Sequence, residues 1–355
     1  MLSLFYLTAL LILWPYCIYP LVLLILKVGF AKKIAISEKI SQHDLLLLIC
    51  FRSREEFFET HLMDRVLNAV EHMPELSVIL IGDGVELELE PADSRIRLLT
   101  VPKSGKNICI FEALKSVELR ENLILGFSDS NTLWDHNHLR DLMSWLLKRP
   151  DLGLAGAKLA YLESNHPEAR HQRLENWFRR QESEIFSVAG VSGGLMFIRS
   201  HLMMPFPSDW PIDLALPLQL GIAGVRSGFA SEIVVLESLK GILSRERRQR
   251  TIGRGISCSL SLFGKLLQTN VFLAFALMSR KILRFVWILT VPFFCFLFVW
   301  HYSIGVTGLF WLLVLPIAIW PVLSWRHLSD SCLGLIGAWV RWFSHSSVDT
   351  WKRGQ

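Results

Sequence analysis

Leu45-Leu46-Leu47-Leu48-Ile49-Cys50-Phe51 is an unbroken apolar run that stops at Arg52-Ser53-Arg54. A half-exposed strand would alternate apolar and polar residues, so this run predicts a strand buried on both faces. Directly after it, Phe58, Leu62, Val66, Leu67 and Val70 recur at helical spacing, which predicts a helix over 55–72. The cycle then repeats. A strand over 77–81 ends in Gly82-Asp83-Gly84, and a third strand spans 96–101. A helix over 106–119 opens on Gly105-Lys106-Asn107, and a strand over 123–128 runs into Ser128-Asp129-Ser130-Asn131. Strand–helix–strand alternation predicts an α/β fold, a mostly parallel central sheet with helices on both faces. Ligands of such sheets bind beyond the carboxyl ends of the strands. The residues there are polar: Asp83, Lys106, Asp129 and Asn131. An acid at such a strand end suits a divalent cation bridging a diphosphate, because Mg²⁺ takes few carboxylates and completes its shell with phosphate oxygens. Asp129 and Asn131 equally suit an Asx turn that caps the next helix, and spacing alone leaves both readings open.

Outward from this core the chain becomes greasy. Of its 355 residues 52% are hydrophobic and 19% charged, against roughly 25% charged in a soluble domain. Residues 1–26 carry no charged side chain, and neither do 285–325. Roughly 20 apolar residues cross a bilayer core. The first segment lacks a basic leader and a small-x-small cleavage site, so it predicts an anchor and not a cleaved signal. Lys27, Lys32 and Lys33 follow it, placing residue 31 onward in the cytoplasm by the positive-inside rule. Residues 285–300 and 305–323 predict a membrane hairpin with basic flanks, Arg280, Lys281 and Arg284 before it and Arg326 and His327 after it. The expected organisation is a transmembrane anchor over 1–30, a cytoplasmic α/β domain over 31–254, and amphipathic interface helices over 255–284. A transmembrane hairpin over 285–325 and a cytoplasmic interfacial tail over 326–355 complete it.

Several function classes fall away. The six cysteines form no CxxC pair, which argues against a zinc knuckle or a disulfide framework. No GxGxxG or Walker sequence occurs. A soluble α/β pattern this long disfavours a transporter. The basic run over 240–254 abuts the membrane segment and is not laced with aromatics, so no nucleic-acid partner is expected.

Three further motifs follow in order. Gly190-Val191-Ser192-Gly193-Gly194 leads a strand ending in Arg199. Asp213 precedes the apolar, Pro217-containing stretch Leu214-Ala215-Leu216-Pro217-Leu218. Arg247, Arg248, Arg250 and Arg254 crowd the approach to the membrane. Together with the acidic loop at Asp83, the Gly105-Lys106 helix start and the Asp129-Ser130-Asn131 motif, this order resembles the family 2 glycosyltransferases of bacterial membranes. That group includes the cellulose, hyaluronan and poly-N-acetylglucosamine synthases. The resemblance implies a GT-A-type nucleotide-sugar-binding domain between N- and C-terminal transmembrane helices in the inner membrane. It also implies inverting transfer of a sugar from a nucleoside diphosphate sugar to a lipid-linked or polysaccharide acceptor in envelope or exopolysaccharide biosynthesis. In that scheme Asp83, Lys106, Gly193, Gly194 and the four arginines contact substrate, Asp129 and Asn131 hold Mg²⁺ or Mn²⁺, and Asp213 is the catalytic base. Membrane lipids and polysaccharide assembly proteins are the implied partners.

The bland readings stand beside these. Asp213 also suits a helix N-cap, and the arginines also suit anionic headgroups at about 1 kcal/mol each. The chain departs from the family as well. Asn131 replaces the second motif acid, Ile212 replaces the first residue of the acidic pair, and the Gln-x-x-Arg-Trp signature of processive synthases is absent. These departures leave room for a catalytically impaired scaffold in a polysaccharide assembly complex.

Overall fold

The computed structural model describes residues 2–30, 36, 42–239 and 245–286, with Thr290, Phe293, Phe294, Leu297, Ile336 and Trp339 beyond them. Nearly all of the hairpin and tail expected over 285–355 lies outside the described residues. The N-terminal apolar segment forms α1 (Leu2–Leu13) and α2 (Tyr19–Phe30), joined by a π-helical turn at Trp14–Ile18. Pro15 sits in that turn, where its missing N–H and its ring disturb the regular bonding ladder. Among the described residues one helix, Ser3–Gly29, is long and apolar enough to cross a membrane, with a mean hydropathy of 2.3. Its second half is not free of the α/β domain, because Tyr19 and Leu23 are fully buried in a core cluster of that domain.

The apolar run becomes β1 (Asp44–Phe51). Leu46 and Leu48 enter one core cluster while Leu45, Leu47 and Ile49 enter another, as a strand covered on both faces requires. The helix expected over 55–72 is instead two, α3 (Arg54–Glu59) and α4 (Leu62–His72). At about 100° per residue, Phe57 and Val66 would lie on opposite sides of one continuous helix, yet both are fully buried. A break at Thr60-His61, with His61 in the left-handed region at φ 48°, turns both toward the sheet. Phe58, placed on the buried face by periodicity, is exposed.

The chain continues through β2 (Leu76–Asp83), β3 (Ile96–Val101), α5 (Lys106–Leu114), β4 (Leu123–Asp129) and α6 (His136–Leu147). The helix expected to reach 119 stops at Leu114. The Ser116 hydroxyl donates to the Ala113 carbonyl, and the Val117 N–H closes a turn on Leu114; such side-chain bonds compete with helix continuation. Then follow β5 (Leu152–Tyr161), α7 (Pro167–Ile185), β6 (Leu195–Arg199), α8 (Ile212–Ile222) and β7 (Arg226–Glu237). The described chain ends with α9 (Arg245–Thr269), α10 (Val271–Leu277) and α11 (Leu283–Phe285), the last two joined by a π-helical turn at Met278–Ile282.

The seven strands form one sheet in the order β3-β2-β1-β4-β6-β5-β7. β1 pairs in parallel with β2 and β4, whereas β6 runs antiparallel to both β4 and β5. The mostly parallel sheet is therefore as expected. The register sets Phe51 opposite Gly82 and Cys50 opposite Asp129, so three strand ends bring their polar residues to one edge.

α7 carries two buried acids, Glu175 and Glu182, that tie the N-terminal helix to residues 280–284. Tyr19 Oη donates to Glu182 Oε1 at 2.8 Å and Arg280 Nη1 to Glu182 Oε2 at 2.7 Å. Arg284 Nη1 donates to Glu175 Oε1 at 2.6 Å. Lys281 Nζ lies 3.7 Å from Glu175 Oε2.

Candidate active site

The strand ends open into a cleft lined by Cys50, Arg52, Glu56, Asp83, Lys106, Asp129, Ser130, Asn131 and Arg247. Asp83 ends β2 with its Oδ1 taking the N–H groups of Ser104 at 2.7 Å and Gly105 at 3.0 Å. Its Oδ2 is buried with no hydrogen-bond partner. A buried acceptor left unsatisfied is costly, so this oxygen suits an N–H donor arriving with a ligand. Gly105, at φ 95°, turns the chain into α5, whose first residue is Lys106. The Lys106 ammonium reaches across the cleft and pairs with Asp129 Oδ1. Burial alone would lower the Lys106 pKa; Asp129, joined by Cys50 and Asp213, offsets this and holds it above its usual value.

The capping alternative for Asp129 and Asn131 is settled by α6. Its N-cap is Asp135, which accepts from the N–H groups of Asn137 and His138 in a capping box. The loop after β4 is fixed in other ways. Arg65 of α4 donates to the carbonyls of Ser130, at 2.6 Å, and of Thr132, and the Ser130 hydroxyl bonds Glu56. Among the described residues no three His, Cys, Asp or Glu side chains cluster as a metal cage. Asp129 and Asn131 both line the cleft, however, and a divalent cation that completes its shell with diphosphate oxygens fits one carboxylate and one amide.

The glycine-rich turn crosses in front of this loop. A Cβ added to Gly193 would stand 3.7 Å from Asp129 Oδ2 and 3.9 Å from Asp213 Oδ2. Two carboxylates thus flank a backbone position that carries no side chain. Asp213 lies in the first turn of α8, whose N-cap is Pro211, so the N-cap role expected of a lone acid is filled by another residue. The Val191 N–H donates to the Asp213 carbonyl at 2.9 Å, and Arg179 Nε donates to the Gly190 carbonyl at 3.3 Å. These bonds tie the turn to α8 and α7. Burial pushes the Asp213 carboxyl above its ordinary range against the opposing pull of Lys281, Arg179 and Lys106. Behind the turn, a Cβ on Gly156 of β5 would come within 2.5 Å of Val191 Cβ. Gly156→Ala is therefore expected to displace the turn, costing about 1–3 kcal/mol in urea denaturation. An unchanged midpoint would show that the turn yields freely.

No protein-family model matches the sequence, and no curated protein matches it. The fold does match a solved structure, the mannosyltransferase PcManGT from Pyrobaculum calidifontis in complex with GDP-Man and Mn²⁺. The TM-score is 0.72 at 15% identity, covering 97% of this chain and 99% of that one. The fold is GT-A-like. Glucosyl-3-phosphoglycerate synthase from Mycobacterium tuberculosis is matched more loosely, with a TM-score of 0.43 at 15% identity over 62% of this chain and 81% of that one.

Within this GT-A-like fold the residues singled out from sequence separate into groups. Asp83, Lys106, Asp129, Asn131 and Arg247 line one cleft, and Gly193 and Asp213 border it at Asp129. Gly194 supports the loop from below, its carbonyl accepting from Ser128 Oγ at 2.8 Å. Arg254 turns away to the Ser208 carbonyl at 3.1 Å. Arg250 lies on α9, as does Arg248, whose side chain is outside the described residues.

Glu237 was not singled out. It ends β7, is 4% exposed, and accepts the Thr132 hydroxyl at 2.5 Å directly behind the Asp129 loop. An acid closing an apolar strand is the same signal that marks Asp83 and Asp129. Burial, helped by the nearby Asp129 charge, raises its pKa to about 7. The folded protein thus holds a proton that the unfolded chain releases from its usual value of about 4.5 upward. Stability must fall as pH rises through that interval and level off above it. Glu237→Gln removes the dependence. Without divalent cations the variant is expected to resist urea better than wild type at about pH 8, with the difference shrinking toward about pH 5. Parallel curves at both pH values would contradict a protonated Glu237.

Proposed function

We propose that this chain transfers a sugar, with inversion, from a nucleoside diphosphate sugar to a membrane-associated or growing glycan acceptor. The observation that carries the reading is the approach of Asp129 and Asp213 to Gly193 from two sides, beside a cleft that also holds Asp83 and Lys106. The free Asp83 Oδ2 accepts an N–H of the base. Lys106 and Arg247 supply charge-assisted bonds to the diphosphate. Mg²⁺ or Mn²⁺ held by Asp129 and Asn131 would neutralise charge building on the leaving diphosphate. Asp213 takes the proton of the acceptor hydroxyl as its oxygen bonds to the anomeric carbon and the carbon–diphosphate bond breaks. A raised carboxyl pKa makes Asp213 a stronger base than an exposed aspartate.

The acceptor side faces the membrane in this proposal. Ser3–Gly29 anchors the catalytic domain at the cytoplasmic surface of an inner membrane. Exposed Leu267, Val271 and Phe272 on α9 and α10 support an interfacial role for those helices. A lipid-linked sugar or a nascent envelope polysaccharide is then the acceptor within reach. The test is to incubate detergent-purified protein with a panel of nucleoside diphosphate sugars, Mn²⁺ and lipid extract, and to follow nucleoside diphosphate release. Release with one donor, abolished by Asp129→Ala, is expected; release with none overturns the enzymatic reading.

A further inference from the structure

We propose that Lys106 acts as a stand-in cation that makes divalent metal binding conditional on a bound diphosphate. The inference rests on the donor-site reading above. It starts from charge counting at one end of the cleft. Asn131 stands where a second carboxylate would add charge, Glu56 is engaged by Ser130 and by the Arg52 N–H, and Glu237 is bonded to Thr132 behind the loop. Asp129 is the carboxylate on the Asn131 side of the cleft, with Asp213 beyond Gly193 and Asp83 at the end of β2. Its charge is already matched by the Lys106 ammonium, which is 18% exposed and bound to Oδ1.

A divalent cation arriving alone meets a neutral pair and like-charge repulsion from the ammonium. A single carboxylate and an amide are too few ligands to compensate. A nucleoside diphosphate changes both conditions. Its phosphates offer Lys106 an alternative partner from the same helix start, and they supply the oxygens that the metal lacks. A side-chain rotation would let Lys106 exchange one anion for the other, since it is the first residue of α5 and lines the cleft with its ammonium on Asp129. The exchange holds net charge near balance in both states, and no lone divalent charge is trapped in the cleft.

The prediction concerns binding, not turnover. Mn²⁺ without nucleotide is titrated into full-length wild-type, Lys106→Met and Lys106→Arg protein, and free Mn²⁺ is read by its paramagnetic resonance signal. Lys106→Met is expected to bind Mn²⁺ at least about tenfold more tightly than wild type, because repulsion at this range is worth more than one decade. Lys106→Arg, which keeps the cation, should behave as wild type. Adding GDP or UDP should tighten Mn²⁺ binding in wild type and do so far less in Lys106→Met. Equal Mn²⁺ affinity in wild type and Lys106→Met overturns the gating while leaving the donor-site reading intact. A gain that survives in Lys106→Met/Asp129→Asn places the ion elsewhere and overturns both.

Discussion

Asp213→Asn is expected to lower kcat by about 10²- to 10⁴-fold, the usual contribution of a positioned general base. Asparagine keeps the shape of the side chain and cannot take a proton, so the loss isolates the proton transfer. Nucleotide affinity should change far less than kcat, because Asp83, Lys106 and Arg247 line the cleft while Asp213 borders it only at Gly193. Calorimetric titration of the nucleoside diphosphate against both proteins separates the two effects. The pH profile gives a second check. The base works ionised and burial raises its pKa, so kcat/KM should fall with decreasing pH from a point above the ordinary carboxylate range. Lys281 is the strongest of the cations that hold this pKa down. Lys281→Met should therefore move the acidic limb to still higher pH. Wild-type turnover in Asp213→Asn, or an acidic limb that Lys281→Met leaves in place, would remove Asp213 from the chemistry.

Arg280→Met should destabilise the protein by about 3–5 kcal/mol, the cost of stripping one partner from a buried ion pair. Arg280 is fully buried and donates to Glu182, so truncation leaves that carboxylate with only the Tyr19 hydroxyl and the Ala189 N–H. Because Tyr19 belongs to the N-terminal helix, the loss should also loosen that helix from α7, seen as faster amide exchange over Tyr19–Phe30 in detergent. Glu182→Gln in the same background should recover much of the stability by removing the unpaired charge. A loss under about 1 kcal/mol would mean that water reaches this cluster and screens it.

Three of the cleft residues were legible because they depend on local order alone. Asp83, Lys106 and Asp129 stand directly after apolar strands or at a helix start, and a parallel sheet sends all such positions to one edge. β1 was equally plain, since no amphipathic element tolerates so many apolar residues in succession. The division of α3 from α4 was not. Periodicity favoured Phe58, whereas burying Phe57 together with Val66 required a break that only the sheet beneath them demands.

The same contrast holds for chemistry. Residue types at strand ends predicted a polar cleft at one edge of the sheet from the amino-acid order, because each clue lies within a few residues of its strand. The approach of Asp213 to Asp129 across Gly193, the Arg65 bonds to the loop after β4, and Glu237 behind Thr132 join residues far apart in the chain. So does the anchoring of Tyr19 and Arg280 on one glutamate of α7. Those pairings exist because packing against a common sheet brings distant elements within hydrogen-bond range. Burial there also raises the pKa values of Asp213 and Glu237.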